Sequence, residues 1–492
     1  MRWAGGMSSR TARPTIGSIS LLGLAALTAC HFDPEGGPDP SPRSDPPVRD
    51  VEPAVGGGVA RDPLDDVLTV FVLDEEGRAV PGTEVVVESE GSWSTSAPVG
   101  ASGRIDLRSE RLIPPLSVHL FSSEGPHRSF VGVEGSVVTF RLGGSGAEEP
   151  AASSGVATLT GEVRGWHRLP APSAQTARVV DVEAFGRTSL ERFPQTVRPD
   201  SATPDDPDGM ASNVAVDGVD PFPRWRSYTL RADTRAEGLV AYGWVFDASR
   251  PTRQAPSFIG VSMGLDLADG EALDAMDVEL TQPIDVRLAA AGPAVGAGPE
   301  LGDREIGFGV TVGPEGPVVP LGAGPISATG ERRADGPRLE GVFAEGRYWY
   351  GLHYRSREQV ARRPAREMRA VRTSARPDAD LTDALDVPGA PELAGRVLAA
   401  APPDRTDLGR FRIVDEQGDL RWEIWVVDPR LGELRLPAAP AGFSDGLPRG
   451  TVELEASAFD LGAERAGQDL DLGLVHPRSE AHHRRFTERA DR

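Results

Sequence analysis

Apolar runs in this chain are short, and glycine or proline stops them again and again. Gly 57 and Pro 44 make about a fifth of 492 residues, against ~12% in an average protein. Long helices do not survive that punctuation, whereas runs of five to eight β-branched residues between turns do. The fold class this predicts is all-β: several tandem β-sandwich, immunoglobulin-like domains behind a disordered N-terminal tether.

Val67-Leu68-Thr69-Val70-Phe71-Val72-Leu73 gives the first strand and stops at Asp74-Glu75-Glu76-Gly77. Val85 to Val87, Ile105 to Leu107, Leu116 to Phe121, Phe130 to Val133 and Val137 to Leu142 follow at sandwich spacing. The first domain is therefore placed at 63–143. A small-residue linker (144–155) leads to a second β domain, 156–290. Another linker, 291–304, precedes a third β-rich region, 305–475, of one or two domains split by the basic stretch 355–376. Residues 30–62 are rich in Pro, Gly and Asp and read as an extended tether, and 476–492 as a polar disordered tail.

Residues 1–29 have a different character. Arg2, Arg10 and Arg13 are followed by an uncharged run from Thr15 to Ala29. That run is shorter than the roughly 20 residues that span a bilayer and has the layout of a secretory signal. It ends in Leu27-Thr28-Ala29-Cys30, and Cys30 is the only cysteine. Here the chain resembles bacterial lipoproteins, whose lipobox is an aliphatic residue, two small residues and Cys. The resemblance implies cleavage before Cys30, a diacyl thioether on its sulfur and a membrane partner held through that lipid. The residue after Cys30 is His31, not the Asp that retains such proteins at the inner membrane of enterobacteria, so the outer membrane is the expected address.

A second resemblance covers the first domain. Val72-Leu73-Asp74-Glu75-Glu76-Gly77-Arg78-Ala79-Val80-Pro81-Gly82-Thr83-Glu84-Val85 is similar to the opening of carboxypeptidase regulatory-like modules. Gly100-Ala101-Ser102-Gly103-Arg104-Ile105 lacks the Asp of the family's next turn. The resemblance implies a structural or interaction module without catalytic residues.

The formal charge is −22. Loss of residues 1–29 would remove three arginines and no acid, making it −25. Such a body repels phosphate backbones, which excludes a general nucleic-acid role. The sequence contains no lysine, which excludes P-loop chemistry and Schiff-base catalysis.

Four further features carry candidate chemistry. Gly260-Val261-Ser262-Met263-Gly264 fits the G-x-S-x-G nucleophile elbow, making Ser262 a candidate catalytic serine if a strand precedes it and a helix follows. Asp205, Asp206 and Asp208 lie in an acidic Pro-rich loop that could supply oxygen ligands to Ca²⁺; a plain solvated loop is the simpler reading. Arg362, Arg363 and Arg366, within 355–376, could grip an anionic polymer, or could be neutralised by the protein's own acids. Tyr348 and Tyr350 share a strand face and could stack on sugar rings if exposed, or form core if buried. No cofactor beyond the covalent lipid is expected. The expected role is non-enzymatic, structural or binding, with an envelope protein or polysaccharide as partner. A serine hydrolase and a glycan or polyanion binder are the alternatives.

Overall fold

The computed structural model describes residues 51–489, apart from 90–92, 124, 143–154, 174, 187–210, 219–226, 235, 248, 250–255, 294–303, 315, 328, 429–432, 445, 463–468 and 475–476. Cys30, the lipobox and Asp205, Asp206 and Asp208 lie outside the described residues. Among them the chain is β-strand, turn and three single-turn 3₁₀ segments, so the all-β expectation holds.

The strands follow the β-branched runs. Val67–Asp74 (VLTVFVLD) is buried along nearly its whole length. It ends where the Gly77 N–H bonds Asp74 O at 3.1 Å and the Asp74 carboxylate accepts the Arg78 N–H at 2.7 Å. Gly77 takes φ +81°, which this turn needs and a side chain would resist. Its neighbours in the sheet are Gly135–Leu142, in parallel, and Arg104–Arg108, antiparallel. Facing this sheet are Glu84–Ser89, Leu116–Phe121 and His127–Val133. Val70, Val72, Val138 and Phe140 meet Val85, Val118, Leu120 and Phe130 in one core. The first block is thus a two-layer sandwich, as its spacing predicts.

A second core, around Leu159, Val180, Leu230, Leu239 and Leu280, fills the 156–290 block. A third gathers Tyr242, Ile259, Leu288, Phe308, Tyr350 and Leu352. A fourth packs Phe411, Ile413, Trp422, Ile424 and Leu454 against Leu398 and Leu434.

The sheets do not respect the block boundaries. One twelve-stranded sheet runs Val318–Pro325, Arg304–Thr311, Tyr348–Arg355, Arg366–Ser374, Ser479–Arg489, Gly450–Asp460, Leu408–Val414, Leu420–Val426, His127–Val133, Leu116–Phe121, Glu84–Ser89, Trp93–Pro98. Residues 422–426 pair in parallel with 127–131 of the first block. Contacts within 51–492 define a single compact unit.

Two boundary expectations are corrected. The tail reading fails for Ser479–Arg489, an eleven-residue strand between Arg366–Ser374 and Gly450–Asp460. His482, His483 and Arg484 are all buried there. The tether reading fails from residue 51 onward, because Gly58–Pro63 is a strand. It pairs with Gly135–Leu142 and, through Gly58 and Val59, with Leu470–Asp471. The Asp471 carboxylate accepts the N–H groups of Val55, Gly56 and Gly473. Gly58 is required: a Cβ there would fall 1.8 Å from Leu470 O.

Candidate functional site

The densest chemistry lies on one face of the twelve-stranded sheet, opposite the fourth core. Gly450–Asp460 alternates strictly: Val452, Leu454 and Ala456 enter the apolar core, while Glu453, Glu455 and Ser457 point to the other side. The neighbouring strands match it in register. Arg484, Glu455, Arg412, Glu423 and Arg128 stand opposite one another on five consecutive strands, alternating in charge at each step. The adjoining row is Arg355, Glu367, His482, Ser457 and Arg410.

Around Glu455 and Glu367 these side chains form an ion network. Glu455, 2% exposed, accepts from Arg484 Nε at 2.7 Å, Arg410 Nη2 at 3.0 Å and Arg363 Nη1 at 3.5 Å. Arg363 also bonds Glu453. Glu367 accepts from Arg369 at 2.7 Å, His353 Nε2 at 3.1 Å and Arg484 at 3.3 Å. Burial pushes both carboxyls up, but the surrounding cations outweigh it. Arg410, Arg484, His482 and Arg412 hold Glu455 far below the ordinary range. The His353 bond with Arg369, His482 and Arg484 does the same for Glu367. Arg412 moves down, through burial and the neighbouring Arg410.

Each of these two carboxylates is ionised and surrounded by donors. They can neither take a proton at neutral pH nor coordinate a cation without losing an arginine. What the arrangement can do is fix register across the strands from Tyr348–Arg355 to Leu420–Val426.

Two Ser–His–Glu groupings lie in the same sheet. His482 Nδ1 is 2.8 Å from Ser457 Oγ, and its Nε2 is 3.8 Å from Glu480. His119 Nδ1 is 2.8 Å from Ser129 Oγ, and its Nε2 is 3.7 Å from Glu88. Neither serine is presented as a nucleophile. Ser129 is wholly buried, and its oxygen also accepts Trp422 Nε1–H at 2.9 Å. Ser457 Oγ also bonds Glu455 at 3.2 Å. The His119–Ser129–Trp422 chain is a polar rivet between the first and last blocks.

The sequence candidates fare differently. Ser262 sits within the Phe258–Met263 strand, opposite Leu239. Residues 264–271 continue as loop and turn, so the strand–turn–helix geometry of the nucleophile elbow is not formed. Tyr348 and Tyr350 are core, 4% and 0% exposed. Their hydroxyls donate to Pro337 O at 2.9 Å and Arg376 O at 3.1 Å, and burial pushes both phenols up. Neither ring offers a face to a sugar, which corrects the stacking expectation.

Three arginines of the basic stretch are paired with the protein's own acids. Arg363 serves Glu453 and Glu455, Arg369 serves Glu367, and Arg372 bonds Asp383 at 2.7 Å. Arg362 is exposed at the tip of the hairpin pairing Gln359–Val360 with Arg363–Pro364. Arg366 is half-buried beside His483. The hairpin reaches the ion network: Arg484 Nη1 donates to Pro364 O at 3.0 Å.

Sequence reasoning passed over Glu367, Glu455 and Arg484. The strict alternation in Glu453-Leu454-Glu455-Ala456-Ser457 was the available signal.

No protein-family model matches the sequence, and no curated protein does. Among solved structures, the chain is similar to the Bacillus anthracis TIE protein (11% identity, TM-score 0.13, 60% of this chain and 45% of that one). It is also similar to the tetra-tandem repeat in the extending region of a large adhesion protein (12%, TM-score 0.15, 86% and 98%). The Streptococcal ancillary pilin is a third (11%, TM-score 0.14, 68% and 96%). Scores this low do not amount to a common topology, and the function of none of these proteins transfers to this chain.

Proposed function

We propose that this is a lipid-anchored cell-envelope protein with a non-enzymatic structural or binding role, facing an envelope protein or polysaccharide. Leu27-Thr28-Ala29-Cys30, behind a charged start and a short apolar run, carries the reading. Two or more acyl chains on Cys30 would hold the body stably, at about 0.8 kcal/mol per buried CH₂. Residues 31–50, with six prolines, would space the body from the headgroups. The outer membrane is the proposed address.

The fold is suited to the role. A load entering at Val51 meets Gly58–Pro63, held on both sides by strand pairing and by the Asp471 carboxylate. The first block, in which the carboxypeptidase regulatory-like resemblance lies, is locked to the last by the shared sheet. The test is metabolic labelling with an alkynyl fatty acid, comparing wild type with Cys30→Ala. Label and membrane sedimentation are both expected to vanish in the variant. Retention of either would overturn the reading.

A further inference from the structure

Within the twelve-stranded sheet, Ser479–Arg489 joins two halves. Four strands, from Val318–Pro325 to Arg366–Ser374, lie on one side of it, and seven, from Gly450–Asp460 to Trp93–Pro98, on the other. Both neighbours are fixed by apolar packing. Met368 and Ala370 enter one core, and Val452, Leu454 and Ala456 enter another. Of the joining strand's own two apolar side chains, Ala481 enters a core and Phe486 is 52% exposed. Backbone pairing holds it, together with polar contacts from Arg484 to Glu455 and Glu367 and from His482 to Ser457. Elements with little buried apolar surface open before the cores around them do.

The lead-in to this strand is tied to the entry of the body. Leu470 and Asp471 pair with Val59 and Gly58. The Asp471 carboxylate accepts the N–H groups of Val55 at 3.1 Å and Gly56 at 2.8 Å, and Leu472 N–H donates to Gly57 O at 2.8 Å. A Cβ on Gly56 would fall 2.0 Å from Gly473 N, so the two segments lie backbone to backbone. The link onward is short. Arg478 is already paired on both sides: its N–H donates to Asp460 O at 2.7 Å, and its carbonyl accepts Val371 N–H at 2.9 Å. Only residues 472–477 separate that pairing from Asp471, a reach of at most about 25 Å when fully extended.

We infer that Val55 to Val59 is a latch on the Ser479–Arg489 strand. While the latch holds Leu470–Asp471, the strand stays in the sheet. When the latch is drawn out, the lead-in goes with it and the strand follows, parting the sheet between Arg366–Ser374 and Gly450–Asp460. Parting takes Arg484 from both Glu455 and Glu367. Stranding charges that were buried in pairs is costly, so the strand returns once the latch is released. A pull delivered at Val51 thus reaches the middle of the sheet rather than stopping at its first strand. The source of such a pull rests on the proposed anchor, whereas the latch itself does not.

The test follows hydrogen exchange by mass spectrometry in the full-length Cys30→Ala chain. Asp471→Ala removes the carboxylate that the entry segment donates to. It should speed exchange of Ser479–Arg489 and of Arg366–Ala370 at least tenfold, with Gly238–Asp247 in the second block unchanged. A second variant carries Val59→Cys and Leu470→Cys. These two positions face each other in an antiparallel pair, about 4.5–5.5 Å apart at Cα, within disulfide range. Oxidation locks the latch and reduction frees it in one and the same folded chain. The oxidised form should exchange Ser479–Arg489 at least tenfold more slowly than the reduced form. Unchanged exchange of Ser479–Arg489 in Asp471→Ala would overturn the inference. So would an effect of the lock confined to Gly58–Pro63 and Leu470–Asp471, or a change in either variant shared equally by Gly238–Asp247. Because this background lacks Cys30, such failure would leave the anchor reading standing.

Discussion

Arg484 Nε donates to Glu455 Oε2 at 2.7 Å between adjacent strands, and both side chains are buried. One residue comes from the stretch whose composition reads as a tail, the other from the centre of the last block. Arg410 and Arg363 close on the same carboxylate. Removing one member of such a group leaves buried charge without its counterpart. Glu455→Gln is therefore expected to cost about 3–5 kcal/mol, read as a lowered urea midpoint. A change below about 1 kcal/mol, the worth of an exposed pair, would contradict the network's structural role.

Acid should act in two stages. Burial, helped by Arg366 and Arg485, holds His483 below its ordinary value of 6.5. The folded state thus favours neutral His483, and the unfolded state binds the proton more readily. Stability from this group is complete above about pH 6.5 and falls as pH drops through the folded pKa. Glu367, Glu455 and Glu480 are shifted below 4.5 by the cations around them, against burial. Their contribution is complete above about pH 4.5 and is lost on further acidification. Thermal unfolding across pH should show both declines, and His483→Gln should remove only the upper one.

The hairpin over the network is strained. Ala361 and Arg362 both have positive φ, 49° and 67°, a two-residue turn that prefers Asn-Gly. Ala361→Asn with Arg362→Gly should stabilise the chain by about 1 kcal/mol, measured by denaturant titration. No gain would mean that the turn is held without strain.

Tyr350 separates core from ligand surface. Tyr350→Phe loses the bond to Arg376 O and should cost about 1 kcal/mol. Tyr350→Ala opens a cavity and should cost about 3–5 kcal/mol. If both were neutral in calorimetry, the ring would not be the core element its burial makes it.

Local pattern made most strands legible. Leu116 to Phe121 is a strand at the very residues its short apolar run marks out, and Val67 to Leu73 extends by one. The core around Tyr242, Leu288, Phe308 and Tyr350 draws on both sides of 291–304, which local runs do not reveal. What escaped was set by distant partners. Ser479–Arg489 (SEAHHRRFTER) is too polar to read as a buried strand, and it becomes one because Glu367 and Glu455 wait on either side. Gly58–Pro63 is likewise a strand through Leu470 and Val138. The candidate site was legible only as alternation, since which Arg would meet which Glu depends on register between strands up to 117 residues apart. Ser262 fits its motif in sequence, but no helix follows it in the described residues that would expose its hydroxyl.

The most direct test of the central claim is mass spectrometry of the N-terminal peptide of protein purified from a bacterium that processes lipoproteins. The expected chain begins at Cys30, with residues 1–29 gone and a diacyl thioether on its sulfur. A chain that keeps residues 1–29, is cut elsewhere, or carries a free Cys30 thiol would contradict it.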